Sequence, residues 1–289
     1  MFKVAILGCE NSHAKNFLKA VLEEKIVDDV AFVGVYSDDF EASAALEREF
    51  GVPAVESYDA FVGKVDGIII TARHGDNHYK FAKPYMDCGI PMFIDKPITC
   101  TEADAKAFMQ ELKQHHVPVS GGSVCILDDY VQELRRAVEN QTYGKVHGGY
   151  LRAPIMMHSP YGGFFFYAQH LAQVMMEIFG YYPVSVRAFP KGEDVNCTVH
   201  YEDYDVILSY VPNSGVYYAS ISCEDDVVGG RYYFKDGFQR EFCEFHDLLK
   251  GKPQKMSYED FFAPVYVLNA IARSLESGKV EKVNRVETI

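Results

Sequence analysis

The chain has 289 residues, 48% of them apolar types, which is enough for two domains with separate cores. Lys plus Arg number 28 against 41 for Asp plus Glu, a formal net charge of −13. Most of the surface therefore repels phosphate backbones and anionic lipid, so neither nucleic acid nor a membrane is expected as a partner. No apolar run approaches the roughly 18 residues that span a bilayer.

The first 121 residues alternate between strand-like and helix-like segments. Val4 to Leu7 is a short continuous apolar run of the kind buried on both faces of a parallel sheet. It is also too short for the apolar region of a secretory leader. A helix is expected over about 13–24, with Asn11 or Ser12 capping it. A second strand over Val30–Tyr36 leads to a helix over 40–50 that Gly51 and Pro53 stop. Strands are expected at 67–71, 92–95 and 117–120. Helices lie between them, over about 77–88 with Gly89 as a left-handed cap, and from a capping box at 99–102. This order predicts a Rossmann-type, doubly wound parallel sheet occupying residues 1–121.

Residues 122–289 read as an α+β domain with a mainly antiparallel open sheet. After a helix over about 128–140, strands are expected at 146–153, 184–189, 195–201, 206–211, 216–223 and 228–234, with a Met- and aromatic-rich helix over 167–179. Polar turns such as Pro212-Asn213-Ser214-Gly215 separate them. Tyr217-Tyr218 and Tyr232-Tyr233 put aromatics on both faces. A face that helices leave uncovered predicts a homodimer or homotetramer through this sheet. The seven cysteines are odd in number and form no C-x-x-C pair. They predict free thiols in a reducing, cytoplasmic compartment, with no disulfide framework and no metal site.

The turn after the first strand is where a dinucleotide pyrophosphate would sit. The glycine pattern of such turns is reduced to Gly8, with Glu10 and His13 at its other two positions. A carboxylate about 4 Å from a phosphate costs roughly 4 kcal/mol at an effective dielectric near 20, so either Glu10 is expected to point away or the pyrophosphate to sit further out. Asn11, Ser12 and His13 supply donors instead. At the end of the second strand, Ser37 and Asp38 stand where the adenosine ribose is gripped. Two acids and no adjacent Arg favour NAD over NADP. His74-x-Asp76-x-His78 has a spacing that could serve a metal, but no third cluster accompanies it, and a loop beside the cofactor is the preferred reading.

Thr71-Ala72-Arg73-His74-Gly75-Asp76-Asn77-His78 followed by Asp95-Lys96-Pro97 resembles the glucose-fructose oxidoreductase/inositol dehydrogenase (Gfo/Idh/MocA) family. That family has Thr-Pro-x-x-x-His and Glu-Lys-Pro at these places. Gly144-Lys145-Val146 and the stretch 245–253 extend the likeness over most of the chain. The resemblance implies an NAD(P)-dependent oxidoreductase that moves hydride between nicotinamide and a sugar, inositol or related polyol. It implies a catalytic Lys96, and Thr71, Arg73, His78 and Asp95 around the cofactor. A second family motif, Gly-Gly…Asp-x-Gly-x-His-x-x-Asp, retains Gly163 and His170, while Phe166, Ala168 and Gln173 replace the first Asp, the second Gly and the last Asp. His170 is the expected partner in proton handling. Arg152, His158 and Tyr161 are expected on the substrate side, with Tyr167 as a substitute donor. The replaced aspartates motivate an alternative, a catalytically impaired dinucleotide-binding sensor. A narrower option is elimination or hydrolysis that uses bound NAD transiently.

Overall fold

A computed structural model describes residues 1–285 and divides the chain into two compact units. The first comprises Met1–Thr99, Ala103–Gly122 and Phe238–Tyr258; the second comprises Cys100–Glu102, Ser123–Gly237 and the chain from Glu259 onward.

The first unit is built on β1 (Phe2–Leu7), β2 (Val30–Tyr36), β3 (Gly67–Ile70), β4 (Met92–Asp95) and β5 (Val119–Gly122). All pairs are parallel, in the order β2-β1-β3-β4-β5. A single parallel bridge from Val35 to Ala54 marks where a further edge strand would lie. β1, β3 and β4 are almost wholly buried, as their unbroken apolar runs require of a sheet covered on both faces. The helices α1 (Ser12–Leu18), α2 (Phe40–Phe50), α3 (Asp76–Ala82) and α4 (Glu102–Gln114) connect the strands. The expected cap at Asn11 is present, its side chain accepting from the His13 amide, and Gly51 and Gly89 are both left-handed caps. Two expected helices change type part-way. α1 passes into a π-helical turn at Lys19–Glu23, and α3 into a 3₁₀ turn at Lys83–Cys88. Pro84 opens that second turn and has no N–H for the α-helical ladder.

The second unit holds α5 (Asp129–Glu139), β6 (Val146–Ile155), α6 (Phe165–Phe179), β7 (Ser185–Lys191), β8 (Asp194–His200), β9 (Asp205–Pro212), β10 (Tyr218–Cys223) and β11 (Val227–Arg231). Then follow α7 (Gly237–Leu249), which from Phe238 belongs to the first unit, α8 (Tyr258–Ser277) and the short β12 (Glu281–Lys282). The seven strands run β11-β10-β6-β9-β8-β7-β12, antiparallel except for the β6–β9 pair. α6 packs on this sheet. The Tyr210 hydroxyl donates to the Ala168 carbonyl (3.2 Å), and the Phe179 ring occupies the space that Gly149 leaves without a Cβ.

The domain assignment read from the sequence differs at one segment. Residues 122–289 were expected to form one domain, yet 238–258 return to the first unit. Phe242, Phe245 and Leu249 of α7 share a buried core with Val4, Ile6, Phe17, Phe32 and Phe93. A Cβ on Gly67 would stand 2.6 Å from Leu249 Cδ2 and 2.9 Å from Phe245 Cζ, so that strand start is shaped to admit the helix.

Candidate active site

At the carboxyl ends of β1 to β4, side chains from four turns tie together. Gly8 has φ 76°, and a Cβ there would come within 2.5 Å of the Ala72 backbone; only glycine lets the β1 turn approach the β3 turn this closely. The Thr71 hydroxyl donates to the Gly8 carbonyl at 3.1 Å. Glu10 reaches two neighbouring turns. Its carboxylate accepts from Ser37 Oγ at 2.6 Å and from the Arg73 amide at 3.0 Å, linking the ends of β1, β2 and β3. Asp39 caps α2 through the Glu41 and Ala42 amides; Asp38, also exposed at the end of β2, accepts from the Tyr36 hydroxyl (2.5 Å) and has Lys80 Nζ 3.5 Å away.

Asp95 is fully buried and saturated with donors. One oxygen accepts from the Lys96 amide (2.7 Å); the other accepts from Asn11 Nδ2 (2.8 Å) and lies 3.2 Å from His13 Nδ1. It holds the start of α1 against the end of β4, and it fixes the backbone from which the 4%-exposed Lys96 projects. The Lys96–Pro97 peptide is cis. Ser12 is exposed, its hydroxyl on Asn11 Oδ1. His78 is fully buried with its ring nitrogens 2.8 Å from the Ala72 carbonyl and 3.3 Å from that of Ile98. Burial pushes its pKa down, against Asp95 and the backbone at Ala72, Ile98 and Pro97; a neutral ring donates through one nitrogen only, and the shorter contact is with Ala72. These contacts place it as a loop tie, away from the metal-like spacing with His74 and Asp76.

In the second unit, His170 of α6 is buried with Nδ1 2.7 Å from Ser123 Oγ and 3.6 Å from Cys125 Sγ. Gln173 accepts from the Ser123 amide at 2.9 Å, and so takes up a main-chain donor beside the histidine. Tyr161, Phe166, Tyr167 and His170 form a continuous run of ring contacts, with centroids 5.4, 5.8 and 5.1 Å apart in turn. Arg152 on β6 instead donates to Ser214 Oγ at 3.2 Å, and His158 is exposed, 3.6 Å from Glu193.

The first unit's residues fit a dinucleotide. The Gly8 turn is closed against Ala72 so that no side chain fills it, and the Glu10 charge is engaged with its neighbours. Residues 2–123 match the model of the oxidoreductase family with an NAD-binding Rossmann fold. A UDP-N-acetylglucosamine 3-dehydrogenase from Acidithiobacillus ferrooxidans is 27% identical over 104 residues, 36% of this chain and 33% of that protein. The match thus spans about a third of that relative's length. Over the whole chain, the fold is that of myo-inositol 2-dehydrogenase from Lactobacillus plantarum (TM-score 0.85, 14% identity, covering 98% of this chain and 99% of that one). It is equally that of GenD2 from gentamicin A biosynthesis, solved in complex with NAD (TM-score 0.86, 13% identity, covering 98% and 96%). The Rossmann unit and the open, mainly antiparallel sheet expected from the sequence are both present.

Two buried residues were given no role by the sequence reading. Ser123, in contact with His170, follows a glycine pair that marks only a turn. Glu241 interrupts the apolar stripe Phe238, Phe242, Phe245 and Leu249 at helical spacing. A carboxylate inside an i, i+3, i+4, i+7 pattern is the signal that could have found it.

Proposed function

We propose that the chain is an NAD(P)-dependent oxidoreductase that interconverts a CH–OH group and a carbonyl on a sugar, inositol or related polyol. The observation that carries this reading is the burial of Lys96 beside a donor-saturated Asp95 at the end of β4, in a segment that matches the NAD-binding Rossmann oxidoreductase family. Ligands bind such sheets outside the carboxyl ends of their strands. The dehydrogenase names of the relatives supply the substrate class.

A bound nicotinamide would supply the hydride acceptor or donor. Gly8, Asn11, Ser12 and His13 would line the pyrophosphate turn, Ser37 and Asp38 the ribose end, and Thr71 and Arg73 the β3 loop. During oxidation the substrate hydroxyl gives up its proton as the carbon loses hydride. Lys96 and His170 are the groups proposed to take that proton and return it in reduction. General acid–base help of this kind is worth about 10² to 10⁴ in rate. Arg152, His158, Tyr161 and Tyr167 are proposed substrate contacts. NAD is the favoured nucleotide, because Asp38 would face the 2′-phosphate of NADP with its own negative charge. The alternative of a non-catalytic sensor draws no support from the relatives compared.

A homodimer or homotetramer through the seven-stranded sheet is also proposed. Tyr150 and Tyr218 stand together on it, ring centroids 6.1 Å apart, on the side opposite the Gly149 contact with α6. The absence of a disulfide among the described residues supports a cytoplasmic setting.

Titration of intrinsic fluorescence with NAD⁺ and NADP⁺ is the first test, with tighter NAD⁺ binding expected. A sugar and polyol panel followed at the nicotinamide absorbance should then show turnover that Lys96→Ala abolishes. Binding of neither nucleotide, or full activity in that variant, would refute the reading.

A further inference from the structure

Behind Asp95 the first unit holds a second pair of ionisable groups, His13 and Glu241, and Glu241 has no part in the reaction described above. Glu241 of α7 is 3% exposed, and neither carboxyl oxygen has a hydrogen-bond partner among the described residues. His13 Nε2 is likewise buried without a partner, and it faces Glu241 Oε2 at 3.8 Å. An unpartnered buried carboxylate is among the costlier things a core can contain, and it persists here inside a stripe of phenylalanines.

Hydrogen counting resolves the pair. Asp95 accepts from Asn11 and from the Lys96 amide, so the imidazole nitrogen beside it, Nδ1, is a donor and carries the ring hydrogen. Nε2 then presents a lone pair, which complements a carboxylic acid O–H and repels a carboxylate. We propose that Glu241 and His13 form a buried proton-holding pair that acts through Asp95 as a positioning device for the charge on Lys96. The proposal rests on Lys96 being the proton-handling group of the reaction proposed above.

The surroundings agree with the proton count. Burial drives the Glu241 carboxyl well above the usual carboxylate range; Asp95 and Glu244 add to this and the Lys96 ammonium opposes it. Burial also lowers His13, with Asp95 opposing and Lys96 reinforcing. The rings of Phe238 and Phe17, with centroids 4.8 and 6.1 Å from that of His13, pack against the pair. Transfer within the pair breaks the O–H bond at Glu241 Oε2 and forms an N–H bond at His13 Nε2. Net charge is unchanged, but positive charge then sits next to Asp95. That shift draws Asp95 toward His13 and loosens its grip on the Lys96 amide, so the pair alters the placement of the very charge that must change when Lys96 takes or gives a proton.

The test uses the full-length protein without nucleotide and then with it. Infrared spectra of the nucleotide-free protein at neutral pH should contain a protonated-carboxyl band that Glu241→Gln removes, and ¹⁵N NMR should show His13 as the Nδ1–H tautomer. In turnover, Glu241→Gln should move the pH limb assigned to Lys96 by about half a pH unit, roughly threefold in rate on that limb. KM should be nearly unchanged, and His13→Gln should move the same limb. No protonated carboxyl, an Nε2–H tautomer, or an unmoved limb in folded Glu241→Gln protein would each overturn the proposal. If the wild-type protein binds no nucleotide, the oxidoreductase reading fails, while the infrared and NMR results still judge the pair.

Discussion

Ser123 Oγ lies 2.7 Å from His170 Nδ1 and also accepts from the Cys125 amide at 3.3 Å. With one lone pair taken by that amide, the hydroxyl still has a hydrogen and a second lone pair to offer the imidazole, so the bond holds the ring's orientation in either tautomer. Ser123→Ala is expected to lower kcat about fivefold, the equivalent of one net hydrogen bond, while KM stays within about twofold. Steady-state kinetics on a folded variant check it; a rise in KM alone would assign Ser123 to binding.

Glu10 carries the connection between three strand ends. Truncation in Glu10→Ala strands the buried Ser37 hydroxyl and the Arg73 amide, both of which donate to its carboxylate. The expected loss is about 2 kcal/mol of stability, with weaker dinucleotide binding. Urea denaturation and nucleotide titration measure the two effects, and an unchanged denaturation midpoint would show that the bridge is dispensable.

The return of α7 to the first unit makes a spatially resolved prediction. Phe245 is fully buried in the core that includes β1 and β2 residues. Phe245→Ala should cost about 3–5 kcal/mol. Hydrogen exchange should show the loss in β1, β2 and β3, with β7, β8 and β9 retaining their protection. Loss confined to the second sheet would place α7 there instead.

Glu241 also predicts how stability varies with pH. Its folded pKa is raised above the ordinary 4.5, so its contribution is fully present below about pH 4.5 and declines as pH rises through the folded value. Between those limits the unfolded chain has released a proton that the folded one keeps. Glu241→Gln cannot release it. The variant should therefore gain on the wild type with rising pH, by up to about 1.4 kcal/mol per pH unit. Denaturation curves at several pH values from acid to neutral check this; a constant difference between the two proteins would mean that Glu241 ionises normally.

Much of the first unit was legible because its signals are local. Val4–Leu7 and Met92–Asp95 are unbroken apolar runs, and Asn11, Gly51 and Gly89 are punctuation whose chemistry acts on adjacent residues. Asp95-Lys96-Pro97 was legible through a family likeness. What the sequence hides is long-range partnership. Nothing local to Ser37 shows that Glu10, 27 residues away, accepts from its hydroxyl. Nothing local to His78 shows that the Ala72 and Ile98 carbonyls lie at its ring. The segment 238–258 follows the antiparallel strands directly, and nothing in its own composition says that its phenylalanines belong with Phe17 and Phe93.

That closing helix also sets a schedule for the growing chain on the ribosome. The parallel sheet is translated first, but the apolar groove beside Gly67 is filled by Phe245 and Leu249, made only after every strand from β6 to β11 has emerged. The first unit must wait, partly open, while the second is produced. A nascent chain stalled before residue 238 would thus expose aromatic surface to chaperones, whereas one released just beyond 258 could seal it.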